Sequence, residues 1–246
     1  MDRLLYVAGT GAAHIERLQA LHSNNLANVG TDGFRGDLAQ ARAVSVQGDG
    51  HAVRTYALAE TPGVDLSPGV LNETGRQLDV AVEGSGFLTV ATADGSEAYT
   101  RAGAMHLDTL SQLRDSQGRA VLGLDGPIAV PPFESLLVGT DGVISIQPAG
   151  QGPETVVQVG TLKLVNPPGD QVVKRLDGLI ARRDGQNALA ANDVQLRSGY
   201  LEGSNVNAVG EMTAVLGMAR QYEIAVRLMR LSEENDEAAT RLLQIG

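Results

Sequence analysis

Cysteine and tryptophan are both absent from the 246 residues. Without cysteine the chain has no disulfide, no thiolate nucleophile and no thiolate-bound metal, and the redox compartment stays open. Aromatic residues make up only 3% of the chain, so no broad stacking platform can form and the core must be built from Val, Leu, Ile and Ala. Basic residues are short as well: 19 Lys and Arg face 29 Asp and Glu, for a formal net charge of -10 and a pI near 4.8. Nucleic acid requires basic surface that displaces counterions, so it is excluded as a partner. The same acidity excludes anionic lipid surfaces, and no direct lipid binding is expected. No apolar run approaches the ~20 residues that span a bilayer. The opening "MDRLLYVAGTGAAHIERLQALH" breaks its apolar stretch with Glu16 and Arg17 at helical spacing, so a cleavable secretion signal is not expected.

Catalytic patterns are missing too. No phosphate loop, nucleophile elbow or H-E-x-x-H occurs. "EGSGF" at Glu83 to Phe87 lacks a third glycine and is followed by strand-like Leu88, Thr89 and Val90, so it reads as a turn between strands. His14, His22, His51 and His106 are scattered. The first two could share a helix face, but no third ligand accompanies them. Glu233, Glu234, Asp236 and Glu237 read as a solvated helix face. "TADGSEA" lacks the twelve-residue spacing of a calcium loop and reads as a hairpin turn. No enzyme activity, cofactor, metal or small-molecule substrate is expected.

What the chain does have is a division into helix, β-rich middle and helix: an α+β protein with paired, coiled-coil-like terminal helices around a large all-β domain. The expected boundaries are 1–34, 35–203 and 204–246. Leu5, Ala8, Ala12, Ile15, Leu18, Leu21 and Leu26 form one apolar face, and "NNLANVGTDGFR" from Asn24 to Arg35 stops the helix with Gly30 and turns the chain at Asp32-Gly33. Asp-Gly pairs begin at Asp49, Asp94, Asp125, Asp141, Asp177 and Asp184, the commonest short hairpin signal. Period-2 runs around Leu78–Val82, Ile144–Ile146, Leu162–Leu164 and Val194–Leu196 predict short antiparallel strands with one wet face. Prolines at 127, 131, 132, 148, 153, 167 and 168 mark edges and loops. Ser204, Asn205 and Asn207 are expected to cap a long helix running to about Leu243.

That last helix has a surplus. On a 100° wheel Arg220, Glu223, Arg227 and Arg230 fall within about 80°, while Ile224, Ala225, Val226, Leu228, Met229 and Leu231 spread over most of the rest. Met212, Val215, Ala219, Tyr222, Val226 and Met229 keep a 3-4 spacing, the seam of a coiled coil. One neighbour helix needs a stripe little wider than about 100°, and the apolar arc here is roughly twice that. The surplus predicts contacts with other copies or other subunits.

"NNLANVGTDGFR" near the start, "GYLEGSNVNAVGEMTAVLGMARQYEIAVRLM" near the end, and "LDVAVEGSGFLTV", "AYTRAG" and "GRAVLGLDGPIAVPP" between them occur in the order of a known pattern. Together they resemble the flagellar rod and hook family of bacterial axial proteins. After "YTRAG" the chain carries Ala104-Met105-His106 where that family tends to an aromatic and a Gly-Leu pair. The opening and the modest length resemble a proximal rod subunit more than the distal rod or the longer hook subunit. The resemblance implies a structural subunit of the rod, the drive shaft that transmits torque across the periplasm. It also implies export through the flagellum's own type III apparatus, and partners that are other rod subunits, proximal and distal, in a helical hetero-assembly. The expected assembly surface is Leu5, Ile15, Leu18, Asn24, Asn25, Leu26, Asn28 and Phe34 from the first segment. From the last it is Asn205, Asn207, Met212, Val215, Ala219, Tyr222, Val226 and Met229. Outside an assembly the terminal segments are expected to be partly disordered. Two alternatives stand beside this reading: a distal rod or hook subunit of the same family, and a β-rich binding module with a dimerising helical stalk.

Overall fold

A computed structural model describes residues 2–45, 55–60, 63–150 and 155–244. The Asp49-Gly50 turn, His51 and Pro153 lie outside the described residues. Two helices and a large β region make the chain α+β. Helix α1 runs Asp2–Ala27 and helix α2 runs Ala208–Gln244. Both helices are continuous over these spans.

The residues group into two compact units: 1–27, 37–62 and 207–246 in one, 28–36 and 63–206 in the other. Residues 37–62 therefore fall with the helices and 28–36 with the β region, whereas the sequence divides the chain at 34/35 and 203/204. In the helical unit, Gln40–Ser45 and Thr55–Glu60 form an antiparallel pair with Gln40 opposite Glu60, and the second of these strands packs on α1. A two-stranded ribbon has little stability alone, which is why it needs a helix beside it.

The β unit is antiparallel throughout its named strand pairs. Its largest sheet has five strands in the order Leu164–Val165, Phe87–Ala91, Glu97–Thr100, Ile180–Arg182, Val172–Lys174. A second sheet joins Phe133–Val138, Val143–Pro148 and Val157–Thr161. Short pairs complete it, among them Val80–Glu83 with Gln195–Ser198 and Leu71–Glu73 with Tyr200–Glu202. The Asp-Gly turns at Gly95, Gly126, Gly142 and Gly178 join paired strands as expected, each with positive φ, a conformation glycine adopts readily. Gly185 also has positive φ, but its turn joins no two paired strands. The "EGSGF" stretch is the turn between Val80–Glu83 and Phe87–Ala91.

The core is aliphatic, with Val80, Val82, Leu88, Val90, Leu113, Val121, Ile144, Leu162 and Leu196 all buried. Ile144 and Ile146 are buried while Ser145 is half-buried, the expected alternation. Val80, Ala81 and Val82 are all buried. The expected wet face is therefore missing there, because neighbouring elements cover the strand on both sides. Among the described residues Tyr99 is the one large aromatic side chain under 2% exposed; its hydroxyl accepts from the Ala188 amide at 2.7 Å, which satisfies the polar atom it brings inside. Gly103 has no room for a side chain: a Cβ there would lie 1.7 Å from the Val80 carbonyl oxygen. Gly103→Ala is expected to disrupt the Val80–Glu83 strand and to lower the urea midpoint of the full chain by more than a typical surface change does, read by circular dichroism.

Candidate assembly interface

In the helical unit α1 packs against α2, and the two run antiparallel. His22, near the end of α1, meets Glu211 in the first turn of α2, with Nδ1 to Oε2 at 2.5 Å. Gly9, near the start of α1, faces Met229 farther along α2. Among the described side chains of α1, Ala12 and Asn25 are buried, with Ile15, Leu18 and Leu26 half-buried. On α2, Ala225 and Ser232 are buried, and Val215, Met218, Ala219, Val226 and Met229 are half-buried. These α2 positions occupy about 140° of the wheel, near what a single partner helix covers.

Outside that arc the helix is bare. Met212 and Leu216 are 58% and 57% exposed, and Ile224, Leu228 and Leu231 are 57%, 44% and 48% exposed. Ile224, Leu228 and Leu231 share about 60° of the wheel beside the stripe of Arg220, Glu223, Arg227 and Arg230. Helix α1 is also shorter, at 26 residues against 37. An apolar strip this long on a solvent-facing helix marks a contact surface.

The residues singled out from sequence separate into groups. Val215, Ala219, Val226 and Met229 share the α2 face with most shielding, and Ile15, Leu18 and Leu26 are half-buried on α1. Leu5, Met212 and Tyr222 are exposed. Ile224, Leu228 and Leu231, which carry the bare strip, were not among them. The 3-4 seam follows the face that α1 already occupies, whereas the wheel's second apolar flank carries the signal for these three.

The asparagines also divide. Asn25 is 2% exposed; its Oδ1 accepts from the Asp37 amide at 2.9 Å, and its Nδ2 donates to the Asp37 carbonyl at 3.0 Å and to Glu211 Oε1 at 3.3 Å. It is bonded within its own unit. Asn207 Oδ1 accepts from the amides of Val209 and Gly210, both at 3.1 Å, and so caps α2. Asn207→Ala is expected to cost about 1 kcal/mol and to lower the helical signal of the full chain in thermal melts. Asn205 is no cap. In the β unit its Oδ1 accepts from the Gly36 amide at 2.8 Å and its Nδ2 donates to the carbonyls of Asp65 and Ser67 at 2.9 and 3.2 Å, gathering three segments. Ser204 Oγ accepts from the Val206 amide and is no helix cap either. Asn24 is exposed, and Asn28 accepts from the Thr31 hydroxyl at 3.2 Å. Phe34 lies in the β unit beneath the Lys174 ammonium, which is 3.9 Å from its ring centre.

Sequence reasoning missed a buried ionic cluster in the β unit. Glu202, 1% exposed, accepts from Arg35 Nη2 at 2.5 Å and from the Gly69 amide at 2.8 Å through Oε1, and from Arg101 Nη1 at 2.9 Å through Oε2. Arg101 also donates to the carbonyls of Val82 and Gly84. Burial pushes its pKa down; Glu202 opposes that shift and Arg35 adds to it. Nearby, Gly33 has φ of 67° and donates its amide to the Glu202 carbonyl at 2.6 Å. A Cβ on Gly33 would meet the Ala102 amide nitrogen at 2.2 Å, so only glycine fits. The signal was present: Arg35, Arg101 and Glu202 each sit inside a quoted motif, "TDGFR", "YTRAG" and "YLEGS", where a charge interrupts an apolar context.

With two terminal helices, an antiparallel β unit and a bare apolar strip, the chain has the form of an assembling structural subunit. Two family models match it: "Flagellar basal body rod FlgEFG protein C-terminal" over residues 197–242 and "Flagellar hook protein FlgE/F/G D1 domain" over 81–146. The chain is 41% identical to the flagellar basal-body rod protein FlgF of Salmonella typhimurium and 40% identical to that of Escherichia coli, covering all of both chains in each case. It is 29% identical to the flagellar basal-body rod protein FlgG of Bacillus subtilis over 95% of this chain and 96% of that one. The chain belongs to the flagellar basal-body rod protein family. It is a FlgF-like member and a structural subunit of the flagellar basal body, assembling with other basal-body subunits; it is not an enzyme.

Proposed function

We propose that this subunit sits in the proximal rod and joins its neighbours through its terminal helices, which pair in coiled-coil fashion to form the inner part of the assembly. On this reading the segments 1–34 and 204–246 supply the helices and 35–203 the β-rich region. The observation that carries this reading is the strip of Ile224, Leu228 and Leu231, which α1 leaves uncovered. Repeating head-to-tail contacts on such a strip build an open helical array of proximal and distal rod subunits. The 3-4 spacing on the α1-facing side of α2 supports the coiled-coil pairing. Export through the flagellar type III apparatus places the subunit in the periplasm-crossing shaft, where its role is to transmit torque. Leu5, Met212 and Tyr222, exposed in the single chain, are further contact residues on this reading. Asn25 and Asn205, bonded within the chain, serve to hold the segments that present the helices.

The 41% match to FlgF against 29% to FlgG favours the proximal address over the distal one. Tagged protein expressed in cells lacking their own FlgF-like subunit tests it. Restored swimming, with label at the proximal end of the rod in isolated basal bodies, is expected. Label in the hook or distal rod would overturn the address.

A further inference from the structure

The β unit holds a cleft of about 280 Å³ bordered by Ser85, Phe87, Arg101, Asn166, Pro167 and Pro168. Its chemistry is mixed: an aromatic ring and two prolines beside a guanidinium. Arg101 is 3% exposed and lies over the Phe87 ring, 5.3 Å from its centre. It belongs to a cluster in which two guanidiniums share the one carboxylate of Glu202. Among the described residues, Arg101 Nε and Arg35 Nε and Nη1 are buried without an acceptor. A buried cation in excess of its counter-charge is costly, and burial pulls the Arg101 pKa down for the same reason. An anion entering the cleft beside Arg101 would offset it.

The chain itself offers such an anion. Strands Leu122–Gly123 and Gly126–Pro127 are joined by a tip, Leu124-Asp125, whose two residues are exposed, Leu124 at 56%. The Asp125 carboxylate takes part in none of the hydrogen bonds or ion pairs found among the described residues. A protruding leucine next to a free carboxylate complements a cleft that pairs apolar walls with an arginine. We propose that the cleft receives the Leu124-Asp125 tip of a second copy of this chain, with the carboxylate beside Arg101 and the leucine against Phe87 and the prolines. This contact rests on the reading of the protein as an assembling subunit, and would add a β-to-β link to the helical one.

The absence of native cysteine makes the test clean. A copy carrying Ser85→Cys is mixed with a copy carrying Pro127→Cys under mild oxidation, and the mixed disulfide dimer is measured. It is expected to form, and to fall roughly tenfold when the second copy also carries Asp125→Asn and Leu124→Ser, a loss typical of a desolvated charge pair with its apolar anchor. Coupling no better than that of Ser85→Cys with the remote, fully exposed Leu176→Cys overturns the proposal, as does coupling indifferent to Asp125→Asn and Leu124→Ser. In a parallel arm, acetate is titrated against the unmodified chain and followed by NMR at the Arg101 guanidinium. Acetate-induced shifts without dimer coupling would make the cleft a site for small carboxylates and overturn the second-copy occupant. Neither arm reads rod incorporation, so failure here leaves the α2 reading to its own test.

Discussion

Replacing Ile224 and Leu228 by serine is expected to leave the chain folded and to remove it from basal bodies. Both side chains are about half exposed in the single subunit, so the fold loses little when they are truncated. If neighbours cover the exposed part, each contributes about 0.75–1.5 kcal/mol to assembly, half of what full burial of such a side chain gives. Two per subunit amount to roughly a 10- to 150-fold weakening of one contact, repeated at every step of the array. The measurement is the amount of variant recovered in basal bodies relative to the amount exported, with circular dichroism of the purified variant to confirm helix content. Swimming should fail with it. A control change on the charged stripe, Arg227→Ala, removes a solvated side chain and should be tolerated.

The second large effect lies in the β unit. Glu202→Gln keeps the shape of the side chain and removes the carboxylate that pairs with both Arg35 and Arg101. Two guanidiniums then remain buried without a counter-charge, and breaking a buried pair in this way costs about 3–5 kcal/mol. Against a typical stability of ~5–15 kcal/mol this is a large fraction. The urea unfolding midpoint of the full chain should fall accordingly. Glu237→Gln provides the contrast. Glu237 pairs with Arg241 at 3.4 Å, and both side chains are more than half exposed, so no measurable change is expected. Equal effects from the two substitutions would contradict the role given to the cluster.

Local chemistry was the part of this protein that sequence made readable. Asp125-Gly126 and Asp141-Gly142 announce hairpins because a positive φ is a property of the turn itself, needing no distant partner. The two helices were visible for a similar reason, since their periodicity is set within a few turns. Burial of Val80, Ala81 and Val82 together was not visible, because covering both faces of a strand depends on elements far along the chain. Asn205 shows the limit most sharply. Beside a helix start its composition suggests a cap, yet its side chain bonds Gly36 and the 65–67 segment, and only the fold brings these near. Glu202 was hidden likewise, its partners lying 167 and 101 residues away in sequence. The bare strip on α2 was half visible: the wheel showed too much apolar surface, but which flank α1 would cover was a question of packing.

Thiol protection at Leu228 tests the proposed interface most directly. In a chain without native cysteine, Leu228→Cys gives a single reactive position on the bare flank of α2. A maleimide reagent should label it fully in the free subunit and leave it protected in intact basal bodies, while Leu176→Cys, on the β unit and fully exposed, is labelled in the free subunit as well. Leu228→Cys labelled to the same extent in basal bodies as in the free subunit would mean that no neighbour covers this face, and assembly through α2 would be wrong.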